Sequence, residues 1–338
     1  MTDNIYDAVI LGAGVIGLAI SRKLSEEGKE VLIIEEQGQI GSVTSSRNSG
    51  VIHAGVYYDK ESLKAKFCPE GNRRIYEYCI SRSIPHLNTG KFIVATSNNE
   101  IEKLDNILNQ ANEVGVVDIE KVTGSYVSDK EPLIKCVEGL YVSSSGIVDA
   151  SALMRSYLGD IEDKGGMISY NTCFKQADLD NSLFKILVSQ NHEEIEINSR
   201  ILINATGIYA EDNANNLLFL DKSNIPKTFY AKGNYFETGK KLGIKHLIYP
   251  VPNEASLGLH LGLDMGMTVR FGPDVEWVDE ISYEVNKNRE ETFYNDIIKY
   301  IPSFDRSMLK PGYSGIRPKL KGKGQGKSDW MIQSQKDH

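Results

Sequence analysis

The first 35 residues constrain the fold more than any other part of the chain, because a glycine-rich turn there separates segments typical of a strand and a helix. Residues 5–11 are apolar, residues 15–27 have helical character, and residues 31–34 are apolar and mostly β-branched. The turn carries three glycines with G-x-G-x-x-G spacing: Gly12, Gly14 and Gly17. This order predicts a βαβ unit that binds the ADP half of a dinucleotide, with the pyrophosphate at the helix N-terminus.

Each of these glycines has a separate expected role. Gly12 permits the tight turn, Gly14 lets the backbone approach the pyrophosphate, and Gly17 lets helix and strand pack closely. Glu35 ends the second strand, at the spacing where a carboxylate accepts a hydrogen bond from a ribose hydroxyl. A carboxylate at this position disfavours a 2′-phosphate, and therefore disfavours NADP.

Composition limits the class of protein. The chain has 338 residues, of which 41% are hydrophobic, and this size favours two lobes. The formal net charge of -8 disfavours nucleic acid as a partner, because phosphate contacts need clustered Lys and Arg. Four scattered cysteines without a C-x-x-C pair predict reduced thiols and no metal site. No signal peptide or long apolar run is visible, so the cytoplasm is the expected location.

The polar loop at residues 44–58 distinguishes FAD from NAD, because NAD enzymes have no use for such a loop directly after the second strand. The loop and the segments that follow it, notably residues 90–96, 145–149, 270–277 and 311–319, resemble the L-2-hydroxyglutarate dehydrogenase or oxidase family. That family lies within the D-amino-acid-oxidase-like flavoproteins. The resemblance covers nearly the whole chain, and its most specific part is the loop.

The resemblance implies an enzyme that oxidises the C2 hydroxyl of L-2-hydroxyglutarate, or of a related 2-hydroxy acid, to the 2-oxo acid. Flavin N5 would accept the hydride from C2 while a base takes the hydroxyl proton. The implied electron acceptor is a quinone or oxygen, and peripheral association with the inner membrane stays open.

The implied fold is α/β (α+β), with a Rossmann-like FAD-binding domain and a smaller substrate domain built on a mixed or antiparallel sheet. The FAD-binding domain is expected to be discontinuous, formed by residues 1–85, 143–215 and 312–338. The substrate-binding domain is expected at residues 86–142 and 216–311.

Candidate FAD contacts lie in three places. The first is the βαβ unit itself. The second is the start of the polar loop, where Arg47 would serve the phosphates or the loop structure. The third is the turn after the strand at 200–204, which resembles a second flavin-contacting turn. The loop and turn residues are Ser45, Ser46, Arg47, Asn48, Ala205, Thr206 and Gly207.

Histidine is the best base near neutral pH, since its ordinary pKa is about 6.5. His53 lies in the polar loop and His260 in an apolar strand of the substrate domain, and the sequence does not decide between them. His246 opens another family-like strand but has less to support it as the base.

A dicarboxylate substrate needs cationic partners. Arg317 is the leading candidate, because residues 315–318 are similar to the segment by which amine-oxidising relatives hold a substrate carboxylate. Tyr57 and Lys66 follow the loop and could reach the distal carboxylate, although a lysine on a helix surface is more often solvated.

Two alternatives stay open. The substrate could be an amine, an amino acid or glycerol 3-phosphate, as in other members of the superfamily. The family normally continues past a segment like residues 329–332 with a strand and a helix that faces the flavin. A chain without that segment could be a truncated, inactive flavoprotein.

Overall fold

The computed structural model describes residues 5–252 and 258–334, so the first and last four residues of the predicted FAD-binding domain lie outside it. Within these residues the helices are α1 (Val15–Glu26), α2 (Leu63–Ser81), α3 (Ile101–Glu113), α4 (Gly124–Lys130), α5 (Ala150–Glu162), α6 (Ala210–Asn215) and α7 (Glu290–Tyr300). None of the helices in this part of the chain combines the length and apolar character needed to cross a bilayer.

The strands are β1 (Ile5–Leu11), β2 (Val31–Ile34), β3 (Val51–Ile52), β4 (His86–Leu87), β5 (Lys91–Ala95), β6 (Ile119–Thr123), β7 (Glu138–Val142), β8 (Gly146–Val148), β9 (Met167–Ser169), β10 (Thr172–Asp180), β11 (Leu183–Gln190), β12 (Glu193–Asn204), β13 (Phe229–Glu237), β14 (Leu247–Pro250), β15 (Leu261–Leu263), β16 (Val269–Phe271), β17 (Glu276–Val278) and β18 (Lys310–Lys319). The alternation of helices and strands confirms the predicted mixed α/β class.

A six-stranded sheet organises the first of two compact units, in the order β10-β11-β12-β1-β2-β9. The strands β12, β1, β2 and β9 run parallel, whereas β10, β11 and β12 pair antiparallel. The parallel strands are buried on both faces: Ile10 and Ile33 pack with Leu18 of α1 on one face, and Val9 and Leu32 face a second apolar cluster. The sheet is therefore the core that positions the loops after β1 and β12.

A nine-stranded sheet organises the second unit, in the order β17-β13-β16-β15-β14-β5-β7-β6 with β18 beside β13. The pair β5 and β14 is parallel, and β7 pairs antiparallel with both β5 and β6. The helices α3 and α7 bury Leu104, Ile107, Phe293 and Ile297 in the apolar core of this unit. A separate three-stranded sheet has the order β3-β8-β4.

The compact units divide the chain at positions that differ from the predicted domain boundaries. The first unit comprises Met1–Asn48, Ala150–Tyr230 and Arg317–His338, and the second comprises Ser49–Asp149 and Ala231–Ile316. Residues 49–85 and 143–149 thus fall in the second unit, within which β3 and β4 both pair with β8. The second unit is the larger of the two, whereas the sequence predicts that the substrate domain is the smaller. Which unit binds FAD and which binds substrate stays a prediction. The polar loop at residues 44–58 contributes residues to both units.

Candidate active site

The loops after β1 and β12 lie side by side in the first unit, because these parallel strands end in register. Leu11 pairs with Asn204, and the backbone N–H of Ala205 donates to the carbonyl of Leu11 at 2.9 Å. Gly12 has a φ of 95°, a conformation that favours glycine, and a Cβ there would lie 2.9 Å from the carbonyl oxygen of Ala205. The glycine-rich turn and the turn at residues 205–207 therefore form one edge of the sheet.

The start of α1 is suited to a phosphate group. The helix has no acidic residue in its first turn, and its N-cap is Gly14. A Cβ on Gly17 would overlap the carbonyl oxygen of Gly12, so only glycine allows the helix to pack this close to the turn. The N–H of Val15 donates to Ser45 Oγ at 3.0 Å, which places this loop serine at the helix N-terminus. Free amides and the helix dipole at this position favour an anion.

Glu35 is fixed by two backbone amides at the end of β2. Its Oε2 accepts from the N–H of Ala13 at 2.7 Å, and its Oε1 accepts from the N–H of Gln37 at 2.8 Å. The carboxylate therefore lies against the glycine-rich turn itself. The glycine turn, the helix N-terminus and this carboxylate together fit the ADP half of a dinucleotide.

The remaining predicted FAD contacts are held mainly by local hydrogen bonds. Ser46 Oγ donates to the carbonyl of Val43 at 3.1 Å, and Asn48 Nδ2 donates to the carbonyl of Ser45 at 2.7 Å. The side chain of Arg47 is half-buried. These bonds shape the loop around Ser45, whose hydroxyl lies at the N-terminus of α1.

The second turn is similarly fixed by its own side chains. Thr206 Oγ1 donates to Asn204 Oδ1 at 2.6 Å, and Asn204 Nδ2 donates to the carbonyl of Ala210 at 2.8 Å. Gly207 is exposed with a φ of 62°. The turn therefore has a defined backbone next to Gly12.

One face of the second unit's sheet carries three polar side chains from neighbouring segments. Lys91 begins β5, Tyr249 lies in β14, and His260 directly precedes β15. Ile93 pairs with Tyr249, and because side chains alternate along a strand, Lys91 and Tyr249 lie on the same face. The rings of Tyr249 and His260 stack with their centroids 3.6 Å apart. The register thus brings together residues far apart in the sequence.

His53 is anchored through its backbone by α2. Its carbonyl accepts from Asn72 Nδ2 at 3.1 Å and from Cys68 Sγ at 3.4 Å. Removal of water from the imidazole, together with the positive charge of Lys91, lowers the pKa of His53 to about 3. The ring is therefore neutral at physiological pH and has a lone pair that can accept a proton.

Lys91 is a fully buried cation. Its Nζ lies 5.2 Å from the ring centroid of Tyr57 and 5.0 Å from that of Tyr249. Burial lowers the pKa of Lys91 to about 8, and the charges of Cys68 and Asp118 partly oppose this shift. Burial also raises the pKa values of Tyr57 and Tyr249, so both phenols are neutral.

Comparison with known proteins identifies the family. A family model described as FAD dependent oxidoreductase matches residues 7–332. The chain belongs to this family. It is 36% identical to the mitochondrial L-2-hydroxyglutarate dehydrogenase of Arabidopsis thaliana, over 98% of this chain and 77% of that protein. It is 32% identical to the L-2-hydroxyglutarate dehydrogenase of Escherichia coli K12, over 92% of this chain and 71% of that protein.

Solved structures share the fold. The L-alpha-glycerophosphate oxidase of Mycoplasma pneumoniae, solved with FAD bound, superposes with a TM-score of 0.83 at 20% identity. The match covers 93% of this chain and 83% of that one. Glycine oxidase from Bacillus cereus gives a TM-score of 0.77 at 18% identity, over 93% and 85% of the two chains. These findings confirm the predicted resemblance, the FAD dependence and the oxidoreductase class.

Other residues predicted for the oxidoreductase site occupy varied positions. Lys66 is exposed on α2, with its Nζ 5.3 Å from the Phe67 ring centroid. Arg317 is half-buried and lies in β18. His246 Nδ1 lies 2.6 Å from Oε1 of the buried Glu131, which also accepts the N–H of His246. His246 is thus fixed within the fold, whereas the substrate roles of Lys66 and Arg317 stay predictions.

Lys91 and Tyr249 are not among the site residues that the sequence predicts. Lys91 lies in the segment at residues 90–96 that carries the family resemblance, and Tyr249 lies in the family-like strand that His246 opens, but the sequence predicts no role for either. A lysine placed directly before four apolar residues of a strand, in Gly90 to Ala95, is the signal that could have drawn attention to Lys91.

Proposed function

We propose that the protein oxidises L-2-hydroxyglutarate, or a closely related 2-hydroxy acid, to the corresponding 2-oxo acid with FAD. The observation that carries this proposal is a base and a cation within one unit: the neutral imidazole of His53 and the buried ammonium of Lys91, whose charge acts on that imidazole. The relatives named L-2-hydroxyglutarate dehydrogenase support this choice of substrate over an amine.

In the proposed reaction, bound FAD supplies the acceptor for the hydride that leaves C2 of the substrate. His53 takes the proton of the C2 hydroxyl, and the C–O bond gains the electron pair of the broken O–H bond. His53 then carries a positive charge until the proton is released to solvent. His260, stacked on Tyr249, is the alternative base.

The proposed FAD contacts are the edge of the six-stranded sheet and the start of the polar loop. The glycine-rich turn and Ser45 would hold the pyrophosphate, and Glu35 would accept a ribose hydroxyl. The further proposed contacts are Ser46, Arg47, Asn48, Ala205, Thr206 and Gly207. Tyr57, Lys66 and Arg317 are proposed on the substrate side.

The electrons are proposed to pass from reduced FAD to a quinone or to oxygen. A quinone acceptor would require at least peripheral contact with a membrane, whereas oxygen would not. The proposed location is the cytoplasm, with peripheral association at the inner membrane in the quinone case.

A substrate panel tests the proposal. Purified protein loaded with FAD is mixed with a redox dye and with L-2-hydroxyglutarate, D-2-hydroxyglutarate, glycine, L-proline or L-glycerol 3-phosphate. We expect dye reduction to be fastest with L-2-hydroxyglutarate and 2-oxoglutarate to accumulate. Faster reduction with an amine or with glycerol 3-phosphate would overturn the proposal.

A further inference from the structure

The ammonium of Lys91 lacks acceptors although it is fully buried. Its side chain is 0% exposed, and Nζ has no hydrogen-bond partner among the described residues. A lysine ammonium carries three donors, and leaving them unpaired in a buried site is costly. An apolar side chain of similar volume in place of a buried charge is often neutral or stabilising, so the ammonium of Lys91 is not explained by stability of the fold.

Two aromatic rings contact the ammonium of Lys91 without neutralising it, and burial still disfavours its charged form. The rings of Tyr57 and Tyr249 lie near Nζ and offer cation–π contact, which supplies no hydrogen-bond acceptor in the direction of a ligand. The carboxylate of Asp118 acts on Lys91 only as a nearby charge, since its Oδ2 accepts the N–H of Ser144 at 2.6 Å. Among the described residues, none accepts a hydrogen bond from this cation.

Resting on the proposed function, we propose that Lys91 is the residue of the second unit that binds a carboxylate of the hydroxy-acid substrate. The carboxylate would accept hydrogen bonds from Nζ and complete the charge pair. It would also reduce the effect of the Lys91 charge on His53, so that the imidazole becomes a stronger base once substrate is bound. Substrate binding and activation of the base are thereby coupled.

The pKa of Lys91 is about 8, and the neighbouring groups with resolved shifts have pKa values moved away from this range. The pKa of His53 is lowered to about 3, while the pKa values of Tyr57, Tyr249 and Cys68 are raised. The substrate carboxylates are ionised throughout this range. Carboxylate affinity should therefore fall as pH rises through about 8, where Lys91 loses its charge.

The test compares the FAD-loaded wild type with Lys91→Met and with Lys299→Met. Lys299 lies exposed on α7 beside Asp296 and serves as a matched lysine-to-methionine control. Glutarate, a dicarboxylate that cannot be oxidised at C2, is titrated while the visible flavin spectrum is recorded. We expect K91M to bind glutarate roughly 10- to 100-fold more weakly than the wild type, and K299M to bind it normally.

The same titration between pH 6 and 9.5 supplies a readout that a purely structural lysine would not affect. The wild-type dissociation constant should rise above pH 8, and the K91M constant should stay nearly flat. Equal glutarate affinity in K91M and wild type, or an unchanged pH profile, would overturn the assignment of Lys91. Failure of the wild type to reduce its flavin with L-2-hydroxyglutarate would instead overturn the proposed function, so the two failures are distinguishable.

Discussion

Replacing Lys91 by methionine should stabilise the ligand-free protein. The substitution removes a fully buried charge and keeps a side chain of similar length in the same place. Because this residue is proposed to bind substrate, the gain in stability would accompany a loss in ligand affinity. Such an opposition is expected of a functional residue and is not expected of one that holds the fold together.

The size of this gain in stability follows from the pKa of Lys91. A fall from 10.5 to about 8 corresponds to about 3 kcal/mol of penalty on the charged form in the folded state, at about 1.36 kcal/mol per pKa unit. Since the folded-state pKa of Lys91 lies below the unfolded value, the penalty is complete below pH 8. It disappears as pH rises from 8 to about 10.5, where lysine is neutral in both states.

Thermal unfolding of the FAD-saturated proteins measures this effect. With an unfolding entropy of about 2.1 cal/mol/K per residue, 338 residues give about 0.7 kcal/mol/K, so 3 kcal/mol corresponds to about 4 °C. We expect K91M to melt about 4 °C above wild type at pH 7 and the difference to shrink towards pH 10. The control K299M should differ by less than about 1 °C, because Lys299 is an exposed member of a surface ion pair.

Two results would show that K91M is not stabilised by removal of a buried charge. One is a K91M protein that melts below wild type at pH 7, which would mean that the charge of Lys91 is satisfied by the ligand-free protein. The other is a melting difference that does not change between pH 7 and pH 10, which would attribute the effect to packing rather than ionisation.

Three further predictions concern the cofactor and the base. The Gly17→Val variant should purify with little FAD, measured by visible absorbance, because a side chain at this position prevents α1 from packing against the glycine-rich turn. The control variant Gly159→Ala, at an open position on α5, should retain normal flavin content. Glu35→Ala should weaken FAD binding roughly tenfold in a fluorescence titration, since two backbone amides lose their acceptor, and an unchanged affinity would contradict this role. His53→Asn should lower kcat by about 10²–10⁴ with flavin content intact, whereas a drop confined to His260→Asn would reassign the base.

The cofactor side was predictable because its signals are local. The glycine spacing and Glu35 lie within 35 residues, and the structure places Glu35 against the turn of Gly12 and Gly14. The order of strand, helix and strand there follows the apolar pattern, and β1, α1 and β2 lie where that pattern predicts them. Close packing within one βαβ unit depends on residues that are near one another in the sequence, so a single sequence is enough to predict it.

The continuity of β12 was not predictable. The polar residues Asn198 and Ser199 interrupt the apolar pattern, which predicts separate strands at 193–197 and 200–204. The structure has one strand from Glu193 to Asn204. Its first half pairs antiparallel with β11, and its second half pairs parallel with β1. Both pairings include Asn198 and Ser199, so the strand continues through these polar residues.

The proximity of Lys91 and Tyr249 was not predictable for a related reason. Lys91 and Tyr249 meet because β5 and β14 are parallel neighbours in one sheet, although more than 150 residues separate them. The hydrophobic pattern shows that both segments are strands but does not show which strands pair. His260 and His53, in contrast, could be proposed because histidine is chemically informative wherever it occurs.

Anaerobic titration of the flavin shows most directly whether this FAD-dependent oxidoreductase oxidises L-2-hydroxyglutarate. The FAD-loaded protein is mixed with increasing L-2-hydroxyglutarate in the absence of oxygen and of any added acceptor, and 2-oxoglutarate is assayed in the same samples. We expect the visible flavin absorbance to be lost and one equivalent of 2-oxoglutarate to form per flavin reduced. A fully loaded flavin that stays oxidised with excess L-2-hydroxyglutarate would contradict the proposed activity.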